Sequence, residues 1–141
     1  RLQGDWSSDV CSSDLVLDVA HNPQAAGVLS ENLSGMGFYP ETWAVLGMLG
    51  DKDVEGVVMR LDERVDHWLL ATLPGPRGLI AEELALRLRT AGVKGDISCF
   101  ESPAKAFDAA RNRAAEGDRI LAFGSFLTVA EVLSTLRAER H

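Results

Sequence analysis

Cysteine is scarce in this chain of 141 residues. The two present, Cys11 and Cys99, are too few for a disulfide framework and do not stand at zinc-ligand spacing. Apolar runs are short: none approaches the roughly 18 consecutive apolar residues of a transmembrane helix, and no basic-then-apolar leader pattern opens the chain. We therefore expect no membrane span, no secretory leader and a cytoplasmic location. Positive charge is also in deficit, with 14 basic against 21 acidic residues and a formal net charge of −7. That balance argues against nucleic acid or an anionic membrane as partner. Two phosphate-binding patterns are missing as well. Without G-x-G-x-x-G after the first strand a dinucleotide site is disfavoured, and without G-x-x-x-x-G-K-[ST] this chain cannot by itself cradle phosphates in a P-loop. What is present is ordinary globular material, 46% hydrophobic and 25% charged, enough for one domain with its own core.

The stretch from Ser7 to Leu15 contains Ser-Ser-Asp twice and has neither helical nor strand period. It looks like translated sequencing-adapter DNA, so residues 1–14 are read as a non-native or disordered arm and residues 15–141 as the domain. From Leu15 onward short apolar runs alternate with amphipathic stretches, the pattern of a parallel α/β sheet. The strand-like runs are 15–20, 43–46, 68–71, 97–100 and 120–123. Four are continuously apolar, as strands covered on both faces should be; the fourth alternates and is expected nearer an edge. Between them Val54, Val57, Val58 and Leu61, then Ala81, Leu84, Ala85 and Leu88, then Val129, Val132, Leu133 and Leu136 recur at i, i+3, i+4, i+7. Asn22-Pro23 and Ser102-Pro103 read as caps followed by first-turn prolines, Thr128-x-x-Glu131 as a capping box, and Gly37, Gly92 and Gly117 as helix ends. The expected fold is a three-layer, Rossmann-like α/β domain with a mostly parallel sheet of five or six strands.

Ligands of such sheets sit beyond the carboxyl ends of the strands, so the candidate chemistry lies at the strand exits. Asp18 stands within an apolar run, where an ionised carboxylate requires a ligand, a cation or donors; the N–H groups of the next turn could also satisfy it. His21 follows at a helix start, which attracts anions, although a partly exposed histidine there needs no ligand. Lys52, read in the first turn of a helix, opposes the helix dipole unless it has another task, and a solvated surface lysine is the plainer reading. Gly124-Ser125 permits close backbone approach and sets a hydroxyl at the sheet edge, or is simply a tight turn. The third strand exit adds Pro74 to Gly78 with Arg77. No second ligand stands at metal spacing from His21, and neither His67, on the opposite edge, nor His141, near the end, is assigned a role.

At these exits the motifs Leu17-Asp18-Val19-Ala20-His21-Asn22-Pro23, Leu46-Gly47-Met48-Leu49-Gly50-Asp51-Lys52-Asp53, Gly75-Pro76-Arg77-Gly78 and Phe123-Gly124-Ser125-Phe126-Leu127-Thr128-Val129-Ala130-Glu131-Val132 resemble the C-terminal domain of the folylpolyglutamate synthase/dihydrofolate synthase family, within the Mur ligase superfamily. They run from Val16 to about Leu136 in the family's order. The resemblance implies an ATP-dependent ligase that activates a folate or dihydropteroate carboxylate as an acyl phosphate and joins it to the amine of L-glutamate. It further implies an N-terminal P-loop domain that grips ATP and Mg²⁺, over which this domain closes, and a monomer. By the same resemblance ATP contacts fall on Asp18, Val19, Ala20 and His21, with His21 toward the phosphates as the catalytic residue. Lys52 and Ser125 are implied substrate or phosphate contacts. Arg1-Leu2-Gln3 resembles the family's G-R-[FL]-Q element and adds Arg1 to the ATP set, although the adapter-like stretch lengthens its spacing to Asp18. The resemblance also implies that an additional strand from the region just upstream of Leu15 is missing or displaced by the adapter-like stretch. Beside this enzyme reading stands a second, a free-standing α/β nucleotide-binding or regulatory module without catalysis.

Overall fold

The computed structural model describes residues 2–4 and 14–139, so Arg1, Cys11, His141 and most of the expected arm lie outside the described residues. Six strands, β1 (Leu2–Gly4), β2 (Asp14–Leu17), β3 (Thr42–Leu46), β4 (His67–Ala71), β5 (Asp96–Phe100) and β6 (Arg119–Phe123), form one sheet in the order β1-β2-β6-β3-β4-β5. All neighbouring pairs are parallel except β1 with β2, where Leu2 faces Leu17 and Gly4 faces Leu15. Leu2–Gly4, which the sequence reading places in the arm, is thus an edge strand of the sheet. The alternating run, β5, is the opposite edge.

Because successive strand residues point to opposite faces, each central strand supplies two cores. Val16, Leu46, Trp68, Leu70, Leu121 and Phe123 face one layer. It is made by α1 (Pro23–Ser34), α2 (Val54–Leu61) and α3 (Ala81–Ala91) through Leu29, Leu33, Val57, Val58, Leu84 and Leu88. Their strand neighbours Leu15, Leu17, Val45, Leu69, Ile120 and Ala122 face α4 (Pro103–Arg113) and α5 (Phe126–Glu139) through Phe107, Ala110, Val129 and Val132. This is the expected α/β/α sandwich.

Most helix ends follow from local chemistry. Asn22 and Ser102 accept the amides of Ala25 and Lys105, each followed by a first-turn proline. Gly92 ends α3 in the left-handed region at φ 86°. Two expected glycine ends shift: α1 is capped at Gly35, and α4 ends at Arg113, leaving Gly37 and Gly117 in the turns beyond. The expected capping box does not form. α5 starts at Phe126, where the buried Ser125 Oγ accepts the Leu127 amide. Thr128 Oγ1 instead donates to the Gly47 carbonyl at 3.0 Å, and Glu131 accepts the Ala104 amide at the start of α4.

At the amino edge of the sheet polar groups satisfy one another. Arg119, 5% exposed, donates from Nε to Thr42 Oγ1 and from Nη1 to the Leu33 carbonyl, and its guanidinium covers the Tyr39 ring at 4.6 Å. Tyr39 donates to the Asp14 carboxylate. Asp118 accepts the Trp43 indole N–H and the Ala115 amide, while His67 lies between Glu41 and Asp96 and stacks on Trp43. Burial pulls the Arg119 guanidinium below its ordinary value, with the Tyr39 hydroxyl opposing that pull.

Candidate functional site

Four strand exits meet at the carboxyl edge. β2 ends at Leu17, so Asp18 lies just past the strand rather than within it, half-buried, with Oδ1 accepting the Ala20 amide at 2.9 Å. That short-range bond turns the chain toward α1. It leaves the Ala20 side chain in the core and His21 exposed. His21 Nδ1 is 2.9 Å from the Val19 carbonyl. A carbonyl only accepts, so this bond places a proton on Nδ1 and turns Nε2 outward as the ring's second polar atom.

After β3 the chain runs through Gly47, where a Cβ would come within 2.7 Å of Thr128 Oγ1. Asp53 then caps α2 by accepting the Gly56 amide. Lys52 accordingly precedes the cap instead of sitting in the first helical turn. After β4, Thr72 Oγ1 accepts the Ala81 amide and so caps α3 across the intervening loop. Arg77 in that loop contacts Asp51, with Nη2 2.5 Å from Oδ2. The Arg77 hydrogen bond holds the Asp51 carboxyl below its ordinary range, and Lys52 adds to that effect. After β6, Gly124 takes φ 107°, with Gly47 O and Leu46 Cδ1 each 2.6 Å from where a Cβ would stand. A side chain there is excluded on conformation and on space.

A cleft of about 450 Å³ opens between these exits. Its polar lining is His21, Lys52, Arg77 and Ser125, and its apolar lining Val19, Leu49, Phe126 and Leu127. Among the described residues no aspartate or glutamate lines it. Ser125 uses an oxygen lone pair for its own helix and retains its proton for donation. Phe126 is 73% exposed, an aromatic ring left in solvent at the cleft rim. Among the described residues no group of three or more His, Cys, Asp or Glu could hold a metal ion. The arrangement suits an anion with an apolar or planar portion: cations and a helix start for its charge, a ring and aliphatic groups for its body.

The structure gathers four of the sequence candidates, Val19, His21, Lys52 and Ser125, around one volume. Asp18 and Ala20 do not line it; Asp18 supports the turn that presents Val19 and His21. Arg1 lies outside the described residues. Arg77, noted from sequence at the third strand exit but given no role there, joins the site, as do Phe126 and Leu127. For the last two the sequence offered no separate signal, since Phe126 stands three residues before Val129, at the spacing of the α5 stripe.

The Mur ligase, glutamate ligase domain family matches residues 6–126. Among curated proteins, the dihydrofolate synthase/folylpolyglutamate synthase of Escherichia coli is 41% identical over 129 residues, covering 92% of this chain and 29% of that protein. The Haemophilus influenzae protein of the same name is 38% identical over 119 residues, covering 83% and 27%. Among solved structures, Escherichia coli FolC in complex with DHPP and ADP superimposes with a TM-score of 0.85 at 40% identity over 93% of this chain and 30% of that one. The Yersinia pestis bifunctional enzyme complexed with AMPPNP and Mn gives 0.76 at 37% identity, over 97% and 32%. This chain therefore spans under a third of the length of these relatives. Six strands in this order, a cleft at their carboxyl edge and the match over residues 6–126 lead to one conclusion: the chain belongs to the Mur ligase, glutamate ligase domain family.

Proposed function

We propose that this chain is the ATP-closing C-terminal domain of an ATP-dependent acid–amino-acid ligase, one that adds L-glutamate to a folate or dihydropteroate carboxylate. In that reaction the carboxylate takes the γ-phosphoryl group of ATP and ADP leaves; the glutamate amine then attacks the acyl carbon, and phosphate leaves as the amide forms. The observation that carries the reading is the cleft, which sets His21, Lys52, Arg77 and Ser125 around one volume with no acidic side chain among the described residues that line it. Such a site suits phosphates and carboxylates in an otherwise acidic chain. Relatives support it: Escherichia coli FolC is described with ADP, and a bifunctional folylpolyglutamate synthase/dihydrofolate synthase with Mn, AMPPNP and L-glutamate bound.

In this reading His21, held by the Val19 carbonyl, meets the phosphates. Lys52 and Ser125 meet phosphate or substrate oxygens. The backbone of Val19 and Ala20, set by the Asp18 turn, and Arg1 meet the nucleotide. Mg²⁺ would be held by an N-terminal P-loop domain, as the resemblance implies, and would neutralise phosphate charge there. The domain orients ATP and excludes water on closing rather than activating the acid alone. The full enzyme is a cytoplasmic monomer in this proposal; among the described residues no helix is long and apolar enough to cross a membrane. The domain is assigned to residues 15–141, with Leu2–Gly4 adding its edge strand, and the segment between Gly4 and about Asp14 to adapter-derived sequence, which resequencing of the source locus tests. An intact stretch there refutes that assignment.

The functional test uses a parent enzyme restored with its P-loop domain. His21→Ala should lower glutamate-dependent phosphate release by roughly 10²–10³-fold, the usual loss for one oriented electrostatic contact, with the melting temperature nearly unchanged. Unchanged turnover removes His21 from the site. Glutamate-dependent ADP release by the present chain alone would overturn the assignment of phosphate gripping to another domain.

A further inference from the structure

A second cavity, of about 310 Å³, opens at the amino edge of the sheet, at the far end from the cleft. The chain between α1 and β3 supplies Phe38 and Tyr39 to its wall, a one-turn 3₁₀ helix at Asp62–Arg64 supplies Glu63 and Arg64, and the first residue of β6 supplies Arg119. Asp66, just before β4, completes the polar lining that matters here. None of these residues lines the carboxyl-edge cleft.

The two guanidiniums have donors left over. Arg119, only 5% exposed, uses Nε on Thr42 Oγ1 and Nη1 on the Leu33 carbonyl, with the Met36 sulfur as a further contact of Nη1. Among the described residues its Nη2 has no acceptor, so two N–H groups of a buried cation are unmatched beyond its structural bonds. Arg64 repeats the pattern: its buried Nε has no acceptor, and among the described residues it forms no ion pair. Burial depresses the Arg119 guanidinium and the Arg64 charge depresses it further, so the two cations stand close enough to repel. Donors withdrawn from water are costly until an acceptor meets them, and a guanidinium fork matches the two oxygens of a carboxylate.

The acids of this cavity limit what such a ligand carries elsewhere. Asp66 Oδ2 accepts the Thr42 amide, and both Asp66 and Glu63 are exposed, where water solvates them. They oppose a ligand with several negative charges, since like charges brought together are strongly unfavourable. They tolerate a single oxyanion whose remainder is uncharged or cationic. Phe38, 89% exposed, offers that remainder an aromatic surface.

We propose that this amino-edge cavity is a binding site for the carboxylate of a small organic acid or amino acid, with Arg64 and Arg119 Nη2 as its donors and Phe38 beside its remainder. The site is remote from the cleft and does not depend on the ligase reading.

Tyr39 is a local reporter, because it is the only tyrosine in the chain and its ring lies 4.6 Å from the Arg119 guanidinium. With ring-labelled tyrosine, its NMR signal is followed while propionate, L-alanine or pyrophosphate is added to the present chain. Propionate or L-alanine should shift the signal saturably, and pyrophosphate should bind roughly tenfold more weakly. Arg64→Gln should weaken the carboxylate response by roughly tenfold to a hundredfold, the scale of a lost charge-assisted hydrogen bond, while the ligand-free signal and the melting temperature hold. Arg64→Lys recovers part of that loss, and Glu63→Gln narrows the gap between pyrophosphate and the carboxylates. The proposal is overturned if no probe shifts the signal, if pyrophosphate binds as tightly as the carboxylates, or if the response survives in Arg64→Gln. A response lost in His21→Ala but kept in Arg64→Gln places the anion in the carboxyl-edge cleft and overturns it equally.

Discussion

The two ends of the sheet carry similar residue types arranged to opposite effect. At the amino edge Arg119, Tyr39, Asp14, Thr42, Asp66 and Asp118 are bonded to one another and to backbone, and Arg119 is 5% exposed. At the carboxyl edge His21, Lys52 and Arg77 face an open cleft that no acid among the described residues lines. The first arrangement satisfies buried polar groups and holds strands in register; the second leaves donors available for something that arrives. Polarity does not separate structure from function in this sheet, but the availability of partners within the chain does.

The comparison breaks most decisively at Arg119. Arg119→Met leaves the Leu33 carbonyl and Thr42 hydroxyl without their donor, and we expect a loss of about 3 kcal/mol, the low end for breaking a buried charged contact. Chemical denaturation checks the value, while turnover per folded molecule in the restored parent should hold. Next comes Gly124→Ala, which forces a side chain to φ 107° against Gly47 O and should cost about 2 kcal/mol of folding free energy. It should also distort the cleft floor, so here stability and turnover fall together. Asp18→Ala removes the acceptor of the Ala20 amide and should cost about 1 kcal/mol, as for a lost cap. A KM for ATP that rises with it extends the role of Asp18 from turn to nucleotide.

Tyr39 sharpens the comparison by pH. It is the only tyrosine in the chain, so absorbance near 295 nm follows it alone. Burial first, then the hydrogen bond to Asp14, raises its hydroxyl above the ordinary value of 10.0. A group whose folded pKa is raised contributes stability that is complete below the unfolded pKa and lost as pH climbs through the folded one. The midpoint should lie above 10.0, and Tyr39→Phe should remove this part of the alkaline destabilisation. The smallest effect is expected for Lys52→Ala, within about 0.5 kcal/mol of wild-type stability, despite its place in the cleft.

Most of the sandwich was legible because its pattern is local. Apolar runs of four or five residues and i, i+3, i+4, i+7 stripes need only their own neighbours to be read, and the alternating run 97–100 correctly marked an edge strand. What escaped depends on contacts between distant residues. Thr128 and Glu131 have the spacing of a capping box, yet their side chains bond across the fold to Gly47 and Ala104. The first helical turn assigned to Lys52 begins two residues later, because Asp53 takes the cap. At the site His21, Lys52 and Ser125 were visible as polar residues at strand exits. Arg77 was visible there too, at the third strand exit, but its pairing with Asp51 was not, since it depends on contact between the loops around Gly50 and Gly78.

The last strand of the chain lies in the middle of the sheet. β6 is inserted between β2 and β3, with Ile120 beside both Leu15 and Trp43, so the β1-β2 pair and the β3-β4-β5 group have no pairing with each other until residues 119–123 arrive. During synthesis on a ribosome the N-terminal half must therefore wait, its unsatisfied strand edges open, until nearly the whole domain has emerged. A chain truncated before Arg119 loses the seam itself rather than a terminal ornament. Folding of this domain should accordingly be slow, governed by long-range closure, and most vulnerable to aggregation just before its final strand is released.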